Sequence, residues 1–126
     1  MKILITNAQI INSNSSFHNK TADVLISNGK IEKVGKLGSV KADKHIEGKG
    51  KILSAGWFDM RATIGDPGFE YKEEFTTAAE AAFHGGFTGV AVLPNARPVA
   101  QTKNDIKYVR ASSQHGVEFY PMGAVT

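Results

Sequence analysis

The stretch FTTAAEAAFHGGFTGVAVLP, residues 75–94, contains the two patterns that decide the fold. Its first ten residues are rich in alanine, a strong helix former, and they end at Gly85-Gly86, where a glycine can adopt the left-handed conformation that closes a helix. The run FTGVAVLP that follows is continuously apolar, as in a strand buried on both faces of a parallel sheet. The stretch therefore predicts a helix followed by a central strand.

The same alternation continues on both sides of this stretch. On its N-terminal side, KILSAGWFDM predicts an apolar strand that leads into the polar loop RATIGDPGFEYKEE. On its C-terminal side, Thr102 and Asp105 have the spacing of a capping box, which predicts a helix running to about His115, and VEFYPMGAV predicts the next strand. Strands and helices that alternate at this length are typical of right-handed βαβ units, so the predicted fold class is α/β with a parallel sheet.

The beginning of the chain has a different pattern, one of short strands. ILI and QII flank the turn-prone Thr6-Asn7-Ala8, while DVLIS and KIEKV flank Asn28-Gly29. An Asn-Gly pair between two such runs is the strongest short-range signal for a β-hairpin, because a type I′ turn requires positive φ at both central residues. We therefore expect two domains, a small β-sandwich-like module in residues 1–53 and an α/β domain in residues 54–126.

The composition excludes several classes of protein. The formal net charge is +3, and the positive excess lies in residues 1–53, which contain nine lysines and four acidic residues. These lysines stand singly between apolar residues, without the basic runs and interleaved aromatics typical of nucleic-acid binding. The chain has no cysteine, which excludes disulfides and thiolate metal sites. Without a signal-peptide pattern or a run of roughly 18 apolar residues, we expect a cytoplasmic protein with neither a membrane nor a nucleic-acid partner.

In parallel α/β folds the ligand site lies at the carboxyl ends of the strands, here residues 61–74, residues 94–102 and whatever follows Thr126. The four histidines of the chain lack the short spacings of paired metal ligands, and we interpret each as a surface or helix-end residue. They are His18, His45, His84 and His115.

Two further clusters have simpler explanations than a site. Three glutamates share the helical spacing i, i+3, i+4, but acidic residues at a helix start are explained by the helix dipole. They are Glu70, Glu73 and Glu74. Gly85, Gly86 and Gly89 lie after a helix and lead into a strand, whereas a phosphate-binding loop runs from a strand into a helix N-terminus. Neither cluster predicts a metal or phosphate site.

Three motifs in the second half of the chain carry a family resemblance. DPGFEYKEE, GGFTGVAVLPNARPV and YPMGAVT together resemble the N-terminal third of the dihydroorotases, members of the amidohydrolase superfamily. The resemblance covers essentially the whole chain, and it implies that residues 1–53 are the small β-domain that precedes the barrel in this superfamily. Residues 54–126 are then expected to be the start of an amidohydrolase-type (β/α) barrel, or TIM barrel, which takes about 250 residues when complete.

The resemblance also implies a chemistry. Dihydroorotases open or close the cyclic amide of dihydroorotate in pyrimidine biosynthesis with one or two zinc ions. Their first barrel strand ends in His-x-His-x-Arg, in which the histidines bind metal and the arginine binds the substrate carboxylate. Aligned on Asp66-Pro67-Gly68, these three positions hold Arg61, Thr63 and Gly65 in this chain. An asparagine after the second strand also contacts substrate in the family, and Asn95 keeps that position.

These departures favour a pseudo-enzyme, with no catalytic residue, no metal ligand and no zinc at the end of the first strand. Asn95 is the one matched candidate for substrate binding. The family includes inactive relatives that associate with aspartate transcarbamoylase, so the resemblance implies that enzyme, or self-association, as a possible partner. The alternative is an active dihydroorotase that recruits its zinc or substrate ligands from elsewhere and acts on a small-molecule substrate. A third possibility, a free-standing binding module, has only Asn95 and the basic β-module in its favour.

We expect Arg61 to have a structural role. A guanidinium is permanently charged and offers five donors, so it can replace a lost metal ion as a structural cation. We therefore expect Arg61 to point into the barrel mouth and to donate hydrogen bonds to Asp66, Asn95 or strand-end carbonyls.

Overall fold

A computed structural model describes residues 1–125 of the chain. The chain divides into two compact units, the first covering Met1–Ala55 and the second beginning at Gly56. The first unit is built of strands, and the second alternates strands with two helices. No helix within residues 1–125 is long and apolar enough to cross a membrane.

The first unit is a five-stranded sheet. Its strand order is β3-β2-β1-β4, and β5 pairs with β1 beyond the end of β4. The first three strands pair antiparallel, whereas β4 and β5 run parallel to β1. The strands are β1 (Lys2–Ile11), β2 (Thr21–Ser27), β3 (Lys30–Gly35), β4 (Lys44–Glu47) and β5 (Ile52–Ser54).

The predicted hairpin between β2 and β3 is confirmed. Asn28 and Gly29 have φ values of 51° and 76°, the positive values that a type I′ turn requires at both central positions. One face of the sheet buries Ile10, Ala22 and Val24, which form the apolar core of this unit together with neighbouring half-buried side chains.

The predicted turn at Thr6-Asn7-Ala8 is wrong, because β1 is one continuous strand. The register of its pairing with β2 shifts between Ile5 and Ala8, and Asn7 has a φ of 57°. The turn-prone residues thus form a β-bulge, which bends a strand without ending it. Asp23 on β2 stabilises the bulge, since its carboxylate accepts the Asn7 N–H at 3.0 Å and the Leu37 N–H at 2.9 Å.

The second unit confirms the predicted α/β class. A three-stranded parallel sheet has the order β6-β7-β8, and one helix follows each of the first two strands. Its elements are β6 (Trp57–Ala62), α1 (Phe75–His84), β7 (Phe87–Val92), α2 (Lys103–Ala111) and β8 (Glu118–Pro121). The last four residues of β7 are buried, as the continuously apolar run predicted.

The core of the second unit lies between one face of the sheet and the two helices. Val90, Val92 and Phe119 on the sheet pack with Phe75 and Ala79 of α1 and with Val109 of α2. Because successive strand residues point to opposite faces, Gly89 and Tyr120 lie on the other face of the sheet. There the rings of Phe58 and Tyr120 pack with their centroids 5.2 Å apart, and both side chains are still nearly half exposed.

Two predicted element boundaries need correction. KILSAGWFDM is two strands, because β5 ends at Ser54 in the sheet of the first unit and β6 begins at Trp57 in the sheet of the second.

The helix that starts after Thr102 ends at Ala111, before the predicted His115. His115 and Gly116 have positive φ values of 53° and 77°, which a continuing helix does not allow. The predicted capping box is confirmed, with Asp105 N–H donating to the Thr102 hydroxyl.

Asp23→Ala is expected to lower the free energy of unfolding of the first unit by about 1–2 kcal/mol, because two backbone N–H groups lose their acceptor. The hydrogen bonds from Leu37 and Asn7 hold the pKa of Asp23 below its ordinary value. The stabilisation is therefore fully present above the pKa of the unfolded chain and is lost as pH falls through the lower folded pKa. Chemical denaturation at neutral and at acidic pH measures both effects.

Glu32→Ala is the matched control for this experiment. This substitution also removes one carboxylate from the first unit. The Glu32 carboxylate lies 3.8 Å from the Lys2 ammonium group in an exposed ion pair. Exposed pairs of this kind contribute little to stability. Equal losses of stability in the two variants would contradict the role assigned to Asp23.

Candidate functional site

The candidate site lies where the strands of the second unit end. Backbone hydrogen bonds hold these ends side by side, with Leu93 N–H donating to Ala62 C=O and Met122 N–H donating to Val92 C=O, both at 2.9 Å. The loop that follows β6 covers residues 63–74, and the loop that follows β7 covers residues 93–102. The carboxyl end of a parallel sheet is where α/β proteins place their ligands.

The first loop folds back tightly on Gly65. Phe69 N–H donates to Gly65 C=O at 2.6 Å, and Gly65 N–H donates to Glu73 C=O at 3.1 Å. A Cβ atom at Gly65 would lie 2.2 Å from the Phe69 carbonyl oxygen and 3.0 Å from the Glu73 carbonyl oxygen. Both obstructing atoms belong to the backbone, so this buried position has no room for any side chain.

Arg61 does not take the position expected of it. Its side chain is exposed, and its guanidinium makes no hydrogen bond or ion pair within residues 1–125, so the expected bonds to Asp66, Asn95 or strand-end carbonyls are wrong. The pairing of β6 with β7 is irregular between Asp59 and Ala62, and the Arg61 N–H donates to the Asp59 carboxylate at 2.8 Å. The strand is distorted at this residue, and water can satisfy the guanidinium.

Thr63 and Asn95 are brought together by the fold. The Asn95 side-chain amide donates to the Thr63 hydroxyl at 3.4 Å, which joins the ends of β6 and β7 across 32 residues of sequence. Both side chains are exposed. Of the four positions aligned with the family motif, only these two are in contact, and neither is charged.

The two loops are fastened to each other by their backbones. Arg97 N–H donates to Pro67 C=O at 2.9 Å. Gly68, with a φ of 98°, lies so close to Arg97 that a Cβ atom would be 2.3 Å from the Arg97 carbonyl oxygen. Gly68 N–H in turn donates to the Glu70 carboxylate at 2.8 Å, which lowers the pKa of Glu70. Glu70 thus acts within the loop as a turn-stabilising residue.

Asp66 and Tyr108 form a short hydrogen bond near the strand ends. The Tyr108 hydroxyl donates to the Asp66 carboxylate at 2.6 Å, and this hydrogen bond, aided by desolvation, raises the pKa of Tyr108 to about 12. The sequence analysis did not single out Tyr108. No local signal could have found it, because it lies on α2, 42 residues from its partner.

The remaining candidate residues are the histidines and the glutamates. No group of three or more His, Asp or Glu side chains within the described residues is placed to hold a metal ion. His18 accepts the Asn12 N–H through Nδ1, while the other three histidines are exposed. The Glu73 carboxylate accepts a hydrogen bond from the Thr77 hydroxyl. Glu74 N–H donates to the same hydroxyl at the start of α1.

A zinc ion does not fit the residues at the end of β6. Zinc in proteins takes imidazole, thiolate or carboxylate ligands. Arg61 is cationic and has no lone pair to donate, and Thr63 offers a neutral hydroxyl that already accepts from Asn95. Gly65 has no side chain and no space for one.

Gly65→Ala is expected to destabilise the second unit by about 1–3 kcal/mol, because the added methyl group must displace the backbone of the 65–73 loop. Gly123→Ala is the matched control, since a Cβ atom there meets nothing within 4 Å. Thermal and chemical denaturation of both variants test the close approach. A Gly65→Ala variant as stable as the control would contradict it.

Asp66→Asn is expected to lower the Tyr108 pKa from about 12 toward the ordinary value, because the carboxylate that holds the phenolic proton is lost. In the native protein, this contact stabilises the folded state fully below pH ~10 and is lost as pH rises toward ~12. Ultraviolet titration of tyrosinate follows the change, with Tyr108→Phe identifying the affected signal. An unchanged titration in Asp66→Asn would refute the assignment.

Comparison with known proteins identifies relatives of the whole chain. A dihydroorotase of Caldicellulosiruptor saccharolyticus is 38% identical over 130 residues, which cover 98% of this chain and 30% of that protein. Dihydroorotases of Syntrophotalea carbinolica and Geobacter metallireducens are 38% and 34% identical, each over 100% of this chain and 30% of their own length. The chain thus spans about 30% of the length of these curated relatives. No protein-family model matches it.

Solved structures show the same fold. An L-hydantoinase (dihydropyrimidinase) from Arthrobacter aurescens matches 96% of this chain and 27% of its own with a TM-score of 0.80 at 23% identity. A dihydroorotase structure matches 97% of this chain and 31% of its own with a TM-score of 0.65 at 18% identity. These matches confirm a mixed α/β fold that begins with a β-sandwich-like domain. The chain is therefore homologous, over its whole length, to the N-terminal portion of the dihydroorotases of the amidohydrolase superfamily.

Proposed function

We propose that the chain is part of a dihydroorotase-like protein that has lost catalytic activity. In this proposal the end of β6 neither binds zinc nor holds the carboxylate of dihydroorotate. The proposal rests on the whole-chain similarity to dihydroorotases together with the chemistry of positions 61, 63 and 65.

The single observation that carries the proposal is the closure of the loop on Gly65. In the family pattern this position is an arginine that binds the substrate carboxylate, and a guanidinium is suited to that role because it makes paired hydrogen bonds to a carboxylate. Here the Phe69 carbonyl oxygen lies 2.2 Å from the place that even a Cβ atom would need. In this proposal the arginine side chain is absent, and the backbone of the loop also leaves no space for one.

The charge at position 61, one of the two positions where the family has metal-binding histidines, also supports the absence of zinc. A guanidinium is protonated at any physiological pH, so Arg61 repels a divalent cation at the position where the family has a histidine. Zinc supplies amidohydrolases with an activated water and a polarised carbonyl. The residues at the end of β6 offer no substitute for that chemistry.

The proposal includes the architecture and setting of the protein. The half-exposed pair Phe58 and Tyr120 lies on the sheet face that the helices leave uncovered, as expected if further strands extend β6, β7 and β8 into a (β/α) barrel around that face. A non-catalytic member would act in the cytoplasm through association, with aspartate transcarbamoylase or a second copy as its partner.

The second candidate function is an active dihydroorotase. It is favoured by the retained DPGFEYKEE motif and by Asn95, which occupies the position of a substrate-binding asparagine in the family. Such an enzyme would take its zinc ligands and its carboxylate-binding group from residues other than 61, 63 and 65.

Zinc content and activity of the purified protein distinguish the two functions. Elemental analysis measures zinc per chain, and assays in both directions measure the interconversion of dihydroorotate and carbamoyl aspartate, with and without added zinc. We expect no stoichiometric zinc and no turnover above the uncatalysed rate. Turnover by the unmodified protein would establish the alternative instead.

The double variant Arg61→His/Thr63→His tests which loss matters most. It restores two imidazoles but leaves Gly65 unable to hold a carboxylate, so we expect it to remain inactive even with excess zinc. Circular dichroism of both proteins shows whether each is folded, so that inactivity is not confused with unfolding. Activity in the double variant would show that the loop at Gly65 does not prevent substrate binding.

A further inference from the structure

A cavity of about 210 Å³ lies at the carboxyl ends of the strands, between the two loops and α2. A cavity of about 150 Å³ can bind benzene, so this one has space for one small organic molecule. Its walls are mainly the carbon atoms of Ile64, Val92, Leu93, Pro98 and Met122. None of Arg61, Thr63 and Asn95 lines it, so it does not depend on the function proposed above.

The walls of the cavity are held in place by backbone hydrogen bonds. Met122 N–H donates to Val92 C=O at 2.9 Å, Arg97 N–H donates to Pro67 C=O at 2.9 Å, and Ala124 N–H donates to Ala100 C=O at 3.0 Å. These bonds tie together the end of β8 and both loops. Cavities that are largely formed before binding are typical of small-molecule sites.

The polar groups at the cavity select the charge of its occupant. Among the described residues that line it, none is lysine, arginine or histidine, and two are aspartates. Asp105 accepts the N–H groups of Gln101 and Thr102, both through Oδ2, and these bonds hold its carboxylate at the start of α2. Asp66 accepts only the Tyr108 hydroxyl, through Oδ1, and no hydrogen bond within residues 1–125 reaches its other oxygen. An unused carboxylate oxygen beside apolar walls complements a cation and repels an anion.

We propose that this cavity binds a small organic amine, with the apolar body of the ligand between the β6 and β7 loops and α2, and its ammonium group on Asp66. The hydrogen bond from Tyr108 holds the Asp66 carboxylate, and both residues line the cavity. Because the Tyr108 pKa is raised to about 12, the phenol stays protonated and keeps donating to Asp66 across the physiological range. The cavity favours a cation over a carboxylate or phosphate ligand, since two aspartates and no cationic side chain of the described residues line its walls.

Benzylamine is the probe for this site, because it joins an aromatic body to a single ammonium group. Benzyl alcohol has the same body without charge, and benzoate has it with the opposite charge. Nuclear magnetic resonance titration of the purified protein locates each compound by the amide signals it shifts. We expect benzylamine to shift cavity residues saturably, benzyl alcohol to bind more weakly, and benzoate not to bind.

Four variants test the assignment. Asp66→Asn is expected to weaken benzylamine binding by about tenfold or more, the loss typical of a hydrogen bond to a charged group. Ala96→Leu is expected to abolish binding by filling the cavity. Tyr108→Phe keeps the carboxylate but removes the hydrogen bond that holds it, and it is expected to weaken binding less than Asp66→Asn does. Glu80→Gln removes one exposed negative charge of α1 outside the cavity and is expected to leave the affinity unchanged.

The amide spectra of the variants show whether each is folded, and Ala96→Leu decides the question if Asp66→Asn unfolds. The proposal is overturned if benzylamine shifts the amide signals of no cavity residue. That result is expected if another part of the protein fills the cavity. The proposal is also overturned if benzyl alcohol binds as tightly as benzylamine, or if a folded Asp66→Asn retains the full affinity.

Discussion

The close approach of the backbone to Gly65 is the constraint on which the candidate site depends. Two hydrogen bonds fold residues 65–73 back on themselves, and the Phe69 carbonyl oxygen occupies the direction in which a side chain would project. Only a residue without a Cβ atom fits this geometry. Because the loop is compact, Asp66 and Pro67 come next to the second loop and α2 instead of extending away from the sheet.

Several polar groups around the strand ends form hydrogen bonds with one another. Asn95 donates to Thr63, Tyr108 donates to Asp66, and the Glu70 carboxylate accepts the Gly68 N–H within its own loop. Arg61, the one cation at the end of β6, lies exposed and unbonded within the described residues. A metal centre requires the opposite arrangement, in which several side chains direct lone pairs at one point. Within the described residues, the end of β6 does not have that arrangement, although the whole chain is homologous to dihydroorotases.

In the first unit, too, a side chain forms hydrogen bonds with residues that are distant in the sequence. A carboxylate on β2 satisfies the N–H of a bulged residue on β1 and the N–H of Leu37 after β3, which lets a turn-prone tripeptide lie inside a continuous strand. Hydrogen bonds to a carboxylate are stronger than those between neutral groups, so this contact stabilises the bulge within the ten-residue strand β1.

The sequence by itself determined the elements whose signals are local. The alanine-rich run before Gly85-Gly86 fixed α1, the Thr102–Asp105 capping box fixed the start of α2, and Asn28-Gly29 fixed the hairpin, because helix propensity, capping and turn geometry act over a few residues. The tertiary structure alone decided that Thr6-Asn7-Ala8 is a bulge, since Asp23 lies on the neighbouring strand. It also decided that Arg61 is exposed, and that Tyr108 meets Asp66 from 42 residues away. Gly65 is only a glycine in the sequence, and the folded loop alone shows that the Phe69 carbonyl oxygen leaves no room for a side chain there, because a steric constraint exists only between atoms that the fold brings together.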